Sequence, residues 1–166
     1  MTTTVAVADV VTSSVINSVH AGILCAPDPI GSVPAPNTVA GTTHIIEAEP
    51  EFVATITTVP ASLGVGFGVK AQARAVDGIS EVTMVVTHPP MGPDAVTLQS
   101  FQTRINGDNP SLTLYQFDYV YELVIGTWVF TAMSGDEALF SASFEVVDPR
   151  RVPELAGLCG YLDLLS

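Results

Sequence analysis

Three histidines, a set of tyrosines and a surplus of carboxylates are the side chains of this chain with chemistry to offer. His20, His44 and His88 lie in three separate segments. No pair has the His-x-His or His-x-x-x-His spacing that holds two imidazoles on one element, so the pattern does not make a zinc site. Asp108-Asn109, Asp118 and Asp136-Glu137 carry the oxygen donors that Ca²⁺ prefers. Their spacing does not match a calcium loop, and turn chemistry accounts for Asn106 to Asn109 and Ser134 to Glu137 without an ion. No Gly-x-Ser-x-Gly elbow is present. The Gly64-Val-Gly-Phe-Gly68 run lacks the Lys-Ser/Thr of a phosphate loop and continues as an alternating strand. The sequence therefore assigns no catalytic residue, no metal and no cofactor, and its balance is against an enzyme.

What remains is recognition. His88 opens a rigid His-Pro-Pro-Met segment running to Asp94, and Tyr115, Tyr119 and Tyr121 lie close together. Prolines cost little entropy to order, and tyrosines offer contact area without charge. These four residues are the candidate binding set. They suit a non-catalytic module that binds a protein or an envelope component through sheet edges and loops. The alternative is a small-molecule or glycan-binding domain using the same tyrosines.

Charge narrows the partners. With 17 acidic and 5 basic residues, the formal net charge is −12. Lys70, Arg74 and Arg104 are scattered and only Arg150-Arg151 are adjacent, so the clustered cations that nucleic acid needs are missing. The acidity serves solubility, or a cationic partner. No run approaches a membrane-spanning length. No early Lys or Arg precedes an apolar block, so a signal peptide is not visible. That implies the cytoplasm by default, or the periplasm or exterior if Met1 stands where a leader was removed. Cys25 and Cys159 are the only cysteines. They are one disulfide between the tails if the chain is exported, or two buried thiols.

The elements that must position these groups are strands. Tyr121–Val146 gives two alternating runs around Ser134-Gly-Asp-Glu137, a hairpin signal. Phe67 to Ala75 alternates apolar residues with Gly68, Lys70, Gln72 and Arg74, predicting one wet face. Further strands are expected over 44–48, 52–59, 80–87, 96–105 and 111–117, with turns at Asp77-Gly78 and Asn106–Pro110. The prolines at 89, 90 and 93 should stop the 80–87 strand, and those at 27, 29, 34 and 36 should exclude a ladder over 25–43. Trp128 and Phe130 fall on an inward phase. An all-β, immunoglobulin-like antiparallel β-sandwich of seven to nine strands follows. Residues 1–43 would be an N-terminal strand and Pro-rich extension, 44–148 the sandwich and 149–166 a short C-terminal helical tail. In that tail Val152, Leu155, Leu158, Tyr161, Leu162 and Leu165 recur every three or four residues. The leucine stripe could also pair two copies of the chain.

The order Cys25, Pro34-Ala-Pro, Gly64-x-x-Phe67-Gly-Val, His88-Pro-Pro-Met, Tyr121-Glu-Leu-x-x-Gly-x-Trp-x-Phe130 and Phe144-x-Val146 resembles a bacterial domain-of-unknown-function family. The likeness covers residues 20 to 148. It implies a small immunoglobulin-like sandwich and carries no activity, cofactor or site residue.

Overall fold

The computed structural model describes residues 10–155 and Cys159. Eleven strands are present among the described residues. They are β1 (Val10–Thr12), β2 (Ile16–Cys25), β3 (Gly31–Pro34), β4 (Thr42–Ile45), β5 (Thr58–Pro60), β6 (Val65–Ala73), β7 (Ile79–Met91), β8 (Val96–Ile105), β9 (Ser111–Gln116), β10 (Gly126–Ser134) and β11 (Glu137–Val147). One sheet has the order β1-β11-β10-β7-β8, with β5 joined in parallel to the end of β11. The facing sheet is β2-β6-β9, and β3-β4 forms a separate hairpin.

Alternation builds the core between the two sheets. Phe67, Val69, Ala71 and Ala73 of β6 face Val82, Met84 and Val86 of β7, Trp128, Phe130 and Ala132 of β10, and Ala142, Phe144 and Val146 of β11, all buried. The β10–β11 turn falls where expected, within Ser134–Glu137, and is a two-residue loop with Ser134 paired to Glu137. Gly135 supplies its positive φ of 59°, which a tight hairpin requires and Gly adopts without strain. Gly68 answers to a different constraint. A Cβ there would stand 2.1 Å from the Thr113 carbonyl oxygen, so the close approach of β6 to β9 depends on its missing side chain.

Several expectations need correction. The Pro-rich extension does form a ladder, because Pro34 sits at the end of β3, where Gly31–Pro34 pairs with Thr42–Ile45. The 80–87 strand does not stop at His88 but runs to Met91. Its register against β8 breaks between Thr87 and Met91, and β10 pairs with it only as far as Thr87. Pro89 and Pro90 therefore lie in an irregular stretch with no ladder donor to supply, the place a sheet accepts proline. Of 52–59, only Thr58 and Val59 enter a strand; the rest is irregular apart from one bridge between Ala54 and Ile23. The face of β6 expected to be wet is half dry. Gly66 and Gly68 are buried, Phe52 packs over Gly22 of the neighbouring strand, and Lys70 Nζ lies 5.2 Å from the Phe52 ring centre.

Asn37 of the extension and residues 49–54 also cover sheet edges, which otherwise invite pairing with other chains. Ser100 of β8 donates its N–H to the Asn37 carbonyl, Ile23 of β2 exchanges bonds with 53–54, and Leu112 of β9 donates to the Glu49 carboxylate. In place of the C-terminal helix there are two 3₁₀ turns, Pro149–Arg151 and Pro153–Leu155. Asp148 caps the first by accepting from the Arg150 N–H and pairs with its guanidinium, which holds the Asp148 carboxyl down to about 2. Leu155 is buried in the core, not presented on an outer stripe; Leu158, Tyr161, Leu162 and Leu165 lie outside the described residues. Cys25 and Cys159 form a disulfide. No helix among the described residues is long and apolar enough to cross a membrane.

Candidate functional site

β8 and β9 are neighbouring edges of opposite sheets, joined across the opening by a hydrogen bond between the Thr103 and Thr113 hydroxyls. The chain from Ala35 to Ile46 passes over this opening. Beneath it lies a line of polar side chains that the apolar core does not absorb. His88, Gln99 and Glu122 are all buried, and Tyr115 is half-buried.

Their bonds run in one direction. Gln99 Oε1 accepts from the Val39 N–H, which fixes the amide's orientation. Its Nε2 then donates to His88 Nε2 at 2.9 Å and reaches the Tyr115 hydroxyl at 3.3 Å. His88 Nδ1 lies 2.8 Å from the Pro89 carbonyl, which can only accept, so the ring proton is on Nδ1 and the imidazole is neutral. The Tyr115 hydroxyl donates to Glu122 Oε2. Glu122 Oε1 accepts from the Asp118 and Tyr119 N–H groups, at 2.9 Å each. Three donors thus converge on the Glu122 carboxylate and hold the 3₁₀ turn Val120–Glu122 closed.

Burial sets the protonation. It lowers His88 below its ordinary 6.5, against the opposing bond to Pro89. It raises Glu122, although the Tyr115, Asp118 and Tyr119 donors pull the other way. Burial and the Glu122 charge hold the Tyr115 hydroxyl protonated. The two acid–base groups act on stability with opposite signs. For His88 the unfolded chain takes the proton first, so its contribution is complete above pH 6.5 and is lost as pH falls toward the folded value. For Glu122 the folded chain takes the proton first, so acidification toward 4.5 adds stability. A His88→Gln variant should therefore lose less stability than the native chain between about pH 7.5 and about pH 5.5, by at most roughly 1.4 kcal/mol per pH unit. Parallel urea titrations at the two pH values check this; equal losses would place the His88 proton in an unperturbed site.

Gln99, Tyr115 and Glu122 of this line also line a cleft of about 270 Å³ between the extension and β8–β9. His44 Nε2 and Asp118 Oδ2 form a hydrogen bond of 2.7 Å among its lining residues. Gln116 donates to the other Asp118 oxygen at 2.9 Å. Tyr119, also in the lining, stacks on Tyr121 with ring centres 5.3 Å apart and planes 6° from parallel. Among the described residues neither Lys nor Arg lines the cleft.

The four sequence candidates thus divide. His88 and Tyr115 belong to the buried line, with the His88 ring 4.6 Å from Trp128. Tyr119 and Tyr121 are exposed neighbours at the end of the sandwich. Gln99, Glu122 and the His44–Asp118 pair were missed. Gln99 could have been found, since it shares its phase with Phe101, Thr103 and Ile105 on the inward side of β8. Asp108 and Asp136 lie in turns, and among the described residues no three His, Cys, Asp or Glu side chains are grouped to hold a metal ion.

Two antiparallel sheets packed face to face around an inward Trp, with loops gathered at the two ends, define an immunoglobulin-like β-sandwich. The chain is similar to the crystal structure of an immunoglobulin-like protein from Pseudomonas aeruginosa. The two are 23% identical with a TM-score of 0.53, over 86% of this chain and 99% of the other. At that identity the likeness speaks for the fold alone. Residues 12–146 match the family described as domain of unknown function DUF3859, and the chain belongs to that family. Among curated proteins none matches.

Proposed function

We propose that the chain is a non-catalytic binding module of a bacterial protein, and that its contact surface is the loop end holding 118–126. The observation that carries this is the exposed apolar group there. Val120 is 73% exposed and Ile125 54%, beside the stacked Tyr119 and Tyr121. The Glu122 bonds hold this turn, so little order has to be acquired on binding. The Gly92–Ala95 turn between β7 and β8 lies at the same end, because β7 ends where β10 begins and Gly126 packs against Pro89. Sheet edges are weaker candidates, since Asn37 and residues 49–54 occupy part of the β8, β2 and β9 edges. The partner is a protein with an apolar centre and a basic rim, complementary to a chain of net charge −12. The Cys25–Cys159 bond suits an oxidising compartment, so the periplasm or exterior is favoured over the cytoplasm. A second reading, small-molecule or glycan binding, is favoured by the cleft beside Tyr119.

Pull-down with the native chain against Tyr121→Ala/Ile125→Ser tests the first reading. These positions are exposed, so the variant should keep its melting temperature and lose the recovered partner, on the order of ten-fold or more. Undiminished recovery would move the contact elsewhere.

A further inference from the structure

We propose that the cleft between the extension and β8–β9 takes an uncharged polyhydroxyl ligand of about one sugar ring. This rests on the second reading above and gives it a ligand class. Size is the first argument. At about 270 Å³ the cleft falls just under the range of roughly 300–1,000 Å³ for drug-sized ligands.

Charge is the second. An anion would find no Lys or Arg in the lining, only His44, already engaged by Asp118. A cation would find two carboxylates whose capacity is largely taken. Glu122 receives three donors, and Asp118 receives Gln116 and His44. The capacity left over is neutral. Thr42 and Thr43 bring hydroxyls, Gln116 has an amide oxygen beyond the N–H it gives to Asp118, and Tyr119 has its phenol. Hydroxyl groups both donate and accept, which is what such a mixed set matches.

Shape is the third. Tyr119 lines the cleft and is braced by Tyr121, giving a fixed aromatic surface, and Ile46 and Leu114 add apolar contact. A ring with an apolar C–H face and polar edges uses both kinds of surface at once. Gln116 is a positioning group as well as a contact, since it holds Asp118 toward His44.

The test is a titration of the full chain, followed by amide NMR, with neutral hexoses and N-acetylhexosamines. Glucuronic acid and glucosamine serve as charged controls. At least one neutral sugar should shift the 42–46 and 116–122 amides saturably. Binding should weaken roughly ten-fold in Tyr119→Phe/Gln116→Leu or in Tyr119→Ala, with the melting temperature of Tyr119→Ala retained. No saturable shift from any neutral sugar, or tighter binding of either charged control, would overturn the proposal. Partner recovery by the native and Tyr121→Ala/Ile125→Ser chains is measured in parallel. If sugar binding fails while partner recovery still depends on those residues, the cleft inference falls and the interaction module stands.

Discussion

Replacing Trp128 with alanine should cost the fold about 3–5 kcal/mol, the range for emptying a large aromatic site. Trp128 has no exposed surface. Its ring meets Phe67 and Phe117 edge-on at 5.4 and 5.8 Å and Tyr115 at 5.0 Å, while His88 lies against it at 4.6 Å. Its indole N–H donates to the Val124 carbonyl at 2.9 Å, tying β10 to the turn that carries the exposed apolar group. The substitution leaves a cavity, a half-buried carbonyl without its donor and an unsupported imidazole together. Chemical denaturation followed by far-ultraviolet circular dichroism measures the loss. A change under about 1 kcal/mol would mean that the indole is not a core group.

Loss of the disulfide is the second large effect. Cys25 closes the end of β2, and its partner is 134 residues away. Cross-links over long loops remove the most freedom from the unfolded chain, and removing a native one costs about 2–5 kcal/mol. For a chain of this size that lowers Tm by roughly 5–20 °C. The Cys25→Ser/Cys159→Ser pair and the native chain in reductant should melt together, well below the oxidised protein. Identical melting with and without reductant would show that the thiols are not joined.

The fold was legible where one physical constraint dominated. Strict alternation in 67–73 and 82–86, and the Gly135 turn, act within a few residues, so period and turn chemistry expose them. The limits of β8 and β9 followed from the Asn106–Pro110 turn in the same way. Misreadings arose where tertiary context overrode a local rule. Prolines at 89 and 90 sit in a strand because register has already slipped there. Pro34 ends a hairpin strand that only a distant partner, 42–45, completes. The dry side of β6 depends on Phe52, which approaches from an irregular segment with no strand signal. The site was less legible still. His88 was singled out for surface contact and is instead joined inside to Tyr115 through Gln99, while Tyr115 also lines the cleft. Nothing local shows that His44 will meet Asp118, 74 positions later. Polar groups are recruited by the space between sheets, and single-strand patterns do not encode that space.

The proposed binding at the 118–126 end of the sandwich excludes binding along its strand edges. Amide hydrogen exchange of the full chain, alone and saturated with its recovered protein partner, tests it most directly. Protection should rise at 118–126 and at the Gly92–Ala95 turn, with β1, β2 and β8 unchanged. Protection that instead follows the amides of an edge strand, with 118–126 exchanging as in the free chain, would contradict the account.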